Sequence, residues 1–247
     1  MSKASKSEAS RSRRQRGTIS ADQIIHAAFD LARDIGVDGL TMPKLAASLD
    51  IGVASIYWYF RSKEELLDEL TVEATRQFHA GFKALPTNSW DELTLAYFRR
   101  FRTVLRSDDV MSDLVLFRSA PFLATSLDQI WPQIELVLQA HVDAGFTLQE
   151  SVDNYFSLSL YARGIVILDR QQRSGGSAPT VPVRLPVGFN SERFPLLAEA
   201  SAWHSLRGTT DAEFEGGLQT MVQGMRSRLD AAKRHDAPER AQGTGRE

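Results

Sequence analysis

The sequence predicts an all-α protein, with a three-helix head that contains a helix-turn-helix and a larger helical domain behind it. Apolar residues recur three to four positions apart along most of the chain, as at Ile24, Ala28 and Leu31. No stretch shows the sustained alternation that predicts a half-buried strand. Near the front, two short apolar segments flank a turn at residues 50–52, and the second segment ends in adjacent aromatic residues. These three observations define the fold class.

Capping residues mark the start of each early helix. Ser20 and Gln23 have the spacing of a capping box at the first helix. Thr41 is the predicted N-cap of the second helix, Gly52 that of the third and Ser62 that of the fourth. At the turn, Asp tolerates a left-handed backbone better than most residues, so Asp50 makes a tight connection feasible.

Later helices follow from their amphipathic periodicity. The predicted segments are 90–106, 109–119, 121–143, 147–172, 191–203 and 211–233, with a Gly- and Pro-rich loop at 173–190. The predicted organisation is a disordered basic arm at 1–17, a helix-turn-helix domain at 18–66, a helical regulatory and dimerisation domain at 67–234, and a disordered tail at 235–247.

Composition narrows the classes of function. The net charge is −2, yet residues 1–18 hold six Lys and Arg against one Glu, which indicates contact with a polyanion. The chain has no Cys, which excludes disulfides, thiolate metal sites and Cys catalysis. No apolar run reaches the roughly 18 residues of a membrane span, so we expect a cytoplasmic location. The scattered His residues and the missing phosphate loop predict no metal, no cofactor and no enzymatic activity.

The third helix has the pattern of a DNA-reading element. Ile56 and Phe60 are four apart and should face the core of the head. The outward positions are Val53, Ala54, Tyr57 and Trp58. Small Val53 and Ala54 favour apolar contacts with thymine methyl groups. Alternatively, the aromatic residues at 57–59 simply pack the small domain.

The head resembles the DNA-binding domain of the TetR family of bacterial transcriptional regulators. The residues that carry the resemblance are Ile24, Ala27-Ala28, Leu31-Ala32, Gly36, Gly39-Leu40-Thr41, Leu45-Ala46, Leu49, Ser55-Ile56-Tyr57-Trp58-Tyr59-Phe60 and Lys63-Glu64-Glu65-Leu66-Leu67. The resemblance implies a set of DNA contacts: Thr41, Lys44, Val53, Ala54, Ser55, Tyr57, Trp58, Tyr59 and Lys63. Arg14 and Arg16 of the basic arm are expected to reach phosphates or the minor groove.

The second half resembles the regulatory domain of the tetracycline repressors. The shared segments are Gly145-Phe146-Thr147-Leu148, the long helix after it, and Phe214-Glu215-Gly216-Gly217-Leu218. The resemblance implies a cavity for a small apolar effector, with Phe82, Tyr97, Phe101, Leu114, Phe117 and Trp131 as candidate lining residues. The alternative is that these aromatic residues pack an ordinary hydrophobic core and do not line a ligand cavity. Leu114 and Gln149 stand where those repressors bind a magnesium chelate, and neither is a suitable ligand, so we expect no magnesium requirement.

The same resemblance implies a homodimer. The helices predicted over 147–172 and 211–233 would pair with their copies in the partner as a four-helix bundle. The candidate dimer residues are Val152, Tyr155, Phe156, Leu160, Phe214, Leu218, Met221 and Met225. The alternative is that these residues form an intramolecular core. Because a dimer presents two reading helices about one DNA turn apart, roughly 34–36 Å, the expected partner is double-stranded DNA with a palindromic operator.

These patterns predict a transcriptional repressor that a small apolar effector releases from its operator. An activator, or a regulator controlled by a protein partner, is the alternative on the same fold. Two other classes stay open at this point. One is an enzyme that uses the cavity of the fold, and the other is a non-specific DNA-packaging protein.

Overall fold

The computed structural model describes residues 19–82, 85, 89–118, 127–174, 185–204 and 210–242. Within these ranges all regular elements are helices, which confirms the all-α prediction. They are α1 (Ala21–Ile35), α2 (Met42–Ser48), α3 (Val53–Tyr59), α4 (Lys63–Ala80), α5 (Trp90–Ser107), α6 (Asp109–Phe117), α7 (Leu127–Ala144), α8 (Leu148–Ser174), α9 (Pro195–Ala200) and α10 (Asp211–Gln242). No helix in the described ranges is both long and apolar enough to cross a membrane.

The head consists of α1, α2 and α3 packed around one small core. Ile24, Leu40, Leu45 and Ile56 are fully buried there and come from successive elements. The predicted capping box is confirmed, since the Gln23 backbone N–H donates to Ser20 Oγ over 3.2 Å and the Ser20 N–H donates to Gln23 Oε1 over 3.0 Å. Local hydrogen bonds therefore set where the head begins.

Helix α4 belongs to both parts of the molecule. The border predicted at residues 66 and 67 falls inside this helix, which is continuous through Ala80. Leu66 and Leu70 are buried near the head, and Ala74 and Phe78 are buried further along. Behind α4, helices α5, α6, α7, α8 and α10 pack into the larger domain. A displacement of α4 in the larger domain would consequently also move the part of α4 that packs in the head.

Tyr161 fixes the approach of α10 to α8. Its ring stacks on Phe214 with centroids 5.9 Å apart, and its hydroxyl donates to the Phe214 carbonyl over 3.0 Å. A Cβ at Gly217 would lie 2.1 Å from the Tyr161 hydroxyl oxygen, so only glycine admits the tyrosine at this point. The small residue on α10 thus permits the close contact between the two helices.

Two predicted boundaries differ from the structure. Helix α10 runs through Gln242, whereas a disordered tail was expected from residue 235 on account of its polarity. Five of the eight residues at 235–242 are Ala, Glu, Arg or Gln, which favour a helix, whereas Pro238 among them does not. Helix α9 is only six residues long, although a helix was predicted over 191–203. The arm at 1–17 and most of the 173–190 loop lie outside the described residues.

Candidate nucleic-acid interface and regulatory domain

Helix α3 has one buried side and one exposed side. Ile56 is fully buried, and Phe60 just after the helix is buried as well, so these two side chains anchor α3 to the head. On the opposite side, Trp58 is 78% exposed and Tyr57 is 48% exposed. Ala54 and Ser55 are exposed and Val53 is half-buried along the same surface. The helix therefore presents a mixed aromatic and small-residue face to solvent.

The turn before α3 uses a left-handed residue. Asp50 has φ of +54°, as its sequence position suggested. The Ile51 N–H then donates to the Ala46 carbonyl over 3.1 Å, and the Ser55 N–H donates to the Gly52 carbonyl over 2.9 Å. Gly52 is the N-cap of α3 and supplies no side-chain hydrogen bond. This arrangement holds α3 across α2 in a helix-turn-helix.

Tyr59 does not share the exposed face. Its hydroxyl donates to the carbonyl of Ile19, just before α1, and its ring is half-buried. Tyr59 stands one residue beyond Trp58, and the resulting rotation of about 100° turns it towards α1. The ring packs edge-on against Trp58 with centroids 4.6 Å apart. Tyr59 therefore packs the head and supports Trp58, and its contact with DNA stays a prediction.

Three other predicted DNA-contact residues lie beside α3. Thr41 caps α2 through a 3.4 Å hydrogen bond that its Oγ1 accepts from the Lys44 N–H. Lys44 Nζ donates to the Gly39 carbonyl over 3.0 Å, and Lys63 Nζ donates to the Asp38 carbonyl over 3.3 Å. Both lysines are thus held by the α1–α2 connection. Arg14 and Arg16 lie outside the described residues.

The regulatory domain contains a closely packed aromatic cluster. Tyr97 lies 4.8 Å from Phe82 and 5.0 Å from Phe98, measured between ring centroids. Phe101 lies 5.2 Å from Phe78 in an edge-on contact. Of the candidate cavity residues, Phe82, Tyr97, Phe101 and Leu114 are all buried in this interior. The structure brings these four into one core, and their role in lining an effector cavity stays a prediction.

Phe117 and Trp131 do not lie in that interior. Both side chains are more than half exposed, at 61% and 51%. Phe117 is the last residue of α6 and lines a surface groove of about 570 Å³ together with Lys63 and Leu67 of α4. Their predicted place in an internal cavity is corrected, because periodicity alone does not show which end of an amphipathic segment the rest of the domain covers.

Polar side chains inside this domain were missed by the sequence analysis. Arg102 is buried and forms an ion pair with buried Asp169 at 2.9 Å and with Asp211 at 2.8 Å. Burial lowers the pKa of His79 and His141 to about 4, so both rings are neutral at pH 7. The available signal was their position on apolar helix faces, as for Arg102, which lies four residues after Phe98 and three before Leu105. The described ranges contain no cluster of three or more His, Asp or Glu placed to bind a metal, and independence from magnesium stays a prediction.

The candidate dimer residues divide into two groups. Phe156 and Leu160 are 58% and 70% exposed on α8. Val152 and Met221 are half-buried, whereas Tyr155, Phe214, Leu218 and Met225 are buried within the chain. The last four correct the prediction, since they hold α8 and α10 to their own domain and offer no surface to a partner. Among the candidate dimer residues, the exposed ones are both on α8.

A helix-turn-helix head that shares one continuous helix with a larger helical domain defines a transcriptional regulator of the helix-turn-helix class. Residues 24–70 match the family model described as bacterial regulatory proteins, tetR family. Residues 83–229 match that of the tetracyclin repressor-like C-terminal domain. The chain belongs to the TetR family.

Individual relatives agree with this assignment. The HTH-type transcriptional repressor Rv1353c of Mycobacterium tuberculosis is 35% identical over 217 residues, which cover 86% of this chain and 82% of that protein. The class A tetracycline repressor from transposon 1721 of Escherichia coli is 27% identical over 89% of this chain and 96% of its own length. A solved structure described as a possible TetR family regulator from Streptomyces coelicolor A3(2) has the same fold, with a TM-score of 0.65 at 20% identity over 84% of this chain and 99% of that one.

Proposed function

We propose that this regulator is a cytoplasmic transcriptional repressor that binds a palindromic operator as a homodimer and leaves it when a small effector binds the regulatory domain. The single observation that carries the proposal is the exposed pair Tyr57 and Trp58 on α3. The indole of Trp58 is 78% exposed, and exposing so large an apolar side chain to water is unfavourable in free energy. A partner surface that covers the indole would remove this unfavourable contribution.

The chemistry of α3 suits the major groove of DNA. The Tyr57 hydroxyl can donate to a phosphate oxygen or a base edge, while Val53 and Ala54 are small enough to meet thymine methyl groups. Thr41, Lys44 and Lys63 flank the helix, and the two ammonium groups suit backbone phosphates. Aromatic, small and cationic groups are therefore arranged around one short helix.

Effector control requires a link between the regulatory core and the head. Helix α4 supplies one, because its buried side packs in the head at Leu66 and in the aromatic core at Phe78. An effector releases the operator only if it binds one arrangement of the two recognition helices better than the other. The name repressor of the mycobacterial relative supports repression as the direction of control.

An electrophoretic mobility-shift titration with the DNA upstream of the gene tests the proposal. Trp58→Ala and Tyr57→Ala should each weaken operator binding by about tenfold or more, since a good base contact contributes about 1–3 kcal/mol. Trp203→Ala is the matched control, because Trp203 is also largely exposed but lies far along the chain from the head. The control should bind like the unmodified protein.

Two results would contradict the proposal. Equal affinity for the upstream DNA and for random duplex would indicate non-specific packaging. Unchanged affinity after replacing every operator thymine by uracil would remove the role assigned to Val53 and Ala54. An operator that lies upstream of the promoter, with transcription raised on binding, would favour the alternative of an activator.

A further inference from the structure

Arg163 on α8 is the exception among the partly or fully buried arginines that the structure describes. Arg102 pairs with Asp169, Arg118 with Asp68 and Arg170 with Asp109 and Asp113. Arg163 has no carboxylate within ion-pair distance among the described residues. Its Nε donates only to Ser159 Oγ, over a long 3.3 Å. Among the described residues, one half-buried guanidinium thus has no carboxylate partner.

The surroundings of Arg163 are aromatic. Its guanidinium carbon lies 5.6 Å from the centroid of the Phe101 ring. The hydroxyls of Tyr97 and Tyr155 form a buried hydrogen bond of 3.0 Å nearby, and both are close enough to act on the charge of the guanidinium. Burial lowers the pKa of Arg163, because surroundings of low polarity disfavour the charged form. A desolvated cation without a partner is costly, and an anion supplied from outside would offset the cost.

A second set of groups in the same domain lacks partners. Nδ1 of His79 on α4 and Oε1 of Gln133 on α7 are buried and form no hydrogen bond within the structure. His79 packs on Phe78, and Phe78 packs on Phe101, so ring contacts connect His79 to the ring on which Arg163 lies. Unsatisfied buried polar atoms are rare in native proteins and are explained by an unplaced water, an ion or a ligand.

We propose that Arg163 is the anion-recognition group of the effector site, and that the effector carries a carboxylate on an apolar body that packs on Phe101. This inference rests on the proposed function and narrows its effector from any apolar molecule to an organic acid. Arginine is suited to the role because its planar guanidinium holds a carboxylate through two parallel hydrogen bonds. The guanidinium lies against the Phe101 ring of α5 in its own chain, and this intramolecular contact favours a ligand held between α5 and α8 over a partner subunit.

The test is the thermal stability of the full-length protein with a panel of acids and their primary amides. The probes are acetate, hexanoate, benzoate, cyclohexanecarboxylate and 1-naphthoate, each beside its neutral amide at the same concentration. At least one acid should raise Tm by about 4 °C or more over its amide, as expected for a ligand well above its Kd. Arg163→Gln and Arg163→Met should abolish the difference between acid and amide, while Arg163→Lys should keep part of it.

The ligand-free variants supply a second readout. Arg163→Met should melt at or above the Tm of the unmodified protein, because it removes an unpaired desolvated charge. Arg102→Met should melt lower, because it removes the buried ion pair between Arg102 and Asp169. A protein that fails to bind any upstream DNA contradicts the proposed function, and the acid–amide comparison still decides the role of Arg163.

Three outcomes would overturn the inference. Equal effects of every acid and its amide on the unmodified protein would show that the site does not recognise a carboxylate. A difference that survives in both Arg163→Gln and Arg163→Met would place recognition elsewhere. Dissociation of a dimer on Arg163→Gln, measured by light scattering, would assign the counter-ion to a partner subunit.

Discussion

Asp50 shows how one backbone angle sets the geometry of the head. Among the described residues it is the non-glycine residue with positive φ, at +54°, and it lies in the turn that crosses α3 over α2. Asp and Asn adopt this conformation at lower cost than other side chains, and glycine adopts it at no steric cost. A residue with an ordinary Cβ and no local hydrogen bonding should strain the turn.

Substitutions at Asp50 should therefore separate by backbone preference. We expect Asp50→Ala to lower the free energy of unfolding by about 1 kcal/mol, while Asp50→Gly stays within about 0.5 kcal/mol of the unmodified protein. Urea unfolding followed by circular dichroism measures both. If the alanine variant proved as stable as the glycine variant, the left-handed turn would carry no energetic cost.

The buried histidines make stability depend on pH. His79 and His141 have a pKa of about 4 in the folded protein, against 6.5 for an ordinary histidine, because burial disfavours the charged ring. Between these values the unfolded chain binds more protons than the folded chain. The free energy of unfolding therefore rises with pH through this window and falls as the pH is lowered from about 6.5 to about 4, by up to about 1.4 kcal/mol per pH unit for each histidine.

Replacing one buried histidine should flatten this dependence. His79→Leu removes a titrating ring whose Nδ1 has no partner, so its stability should decline less than that of the unmodified protein between pH 7 and pH 5. Urea midpoints at a series of pH values give the comparison, and His26→Gln, at an exposed site, is the control. Identical pH profiles for His79→Leu and the unmodified protein would show that His79 does not titrate in this window.

Helix α6 connects the head to the regulatory domain through its charged side chains. Asp108 is its N-cap and accepts from the Met111 N–H over 3.0 Å, and the same carboxylate pairs with Arg33 of α1 at 2.9 Å. Along the helix, Asp113 pairs with Arg170 of α8 at 2.9 Å. One short element thus contacts the DNA-binding head on one side and the helix that carries Arg163 on the other.

The pair between Arg33 and Asp108 should be measurable by a double-mutant cycle. Asp108→Asn keeps an N-cap acceptor but removes the charge, so with Arg33→Met it should show a coupling of about 0.5–1 kcal/mol in urea unfolding. Asp30→Asn is the matched control, because Asp30 also pairs with Arg33 but is largely exposed within α1. A coupling for Asp30 as large as that for Asp108 would argue against α6 as a specific connection to the head.

At the scale of the whole molecule, we propose that the exposed α8 face joins two copies of the chain, so that two recognition helices act together. Phe156 and Leu160 lie about one helical turn apart and form an apolar surface that the described part of the chain leaves uncovered. A second copy would cover this surface and present two heads to a palindrome. Operator affinity should then depend on residues far from the DNA.

Charge on that face should dissociate the dimer. We expect the double variant Phe156→Glu with Leu160→Glu to be monomeric in light scattering and to lose operator binding by about a hundredfold or more, since buried unpaired charges cost several kcal/mol. Val142→Glu on α7, also at an exposed apolar site, should remain dimeric. A monomeric unmodified protein that still binds the operator tightly would exclude this arrangement.

The sequence predicted much of the head correctly, because the relevant information there is local. Ser20, Thr41 and Ser62 cap helices through hydrogen bonds to residues three positions further on, so each cap is visible in a short stretch of sequence. The exposure of Tyr57 and Trp58 follows from helical rotation relative to Ile56 and Phe60 in the same way. The family assignment from these motifs was confirmed.

Contacts between distant residues could not be predicted in this way. Tyr59 donates to a carbonyl 40 residues earlier, and Arg102 meets Asp169 across 67 residues, so neither partner is marked by a local pattern. Phe117 and Tyr155 are both aromatic positions on amphipathic helices, yet one is exposed and the other is buried. Periodicity in the sequence determined the helices, their starts and the side of α3 that reaches solvent. The packing of those helices against one another decided which side chains meet, because burial depends on what the rest of the chain places over each face.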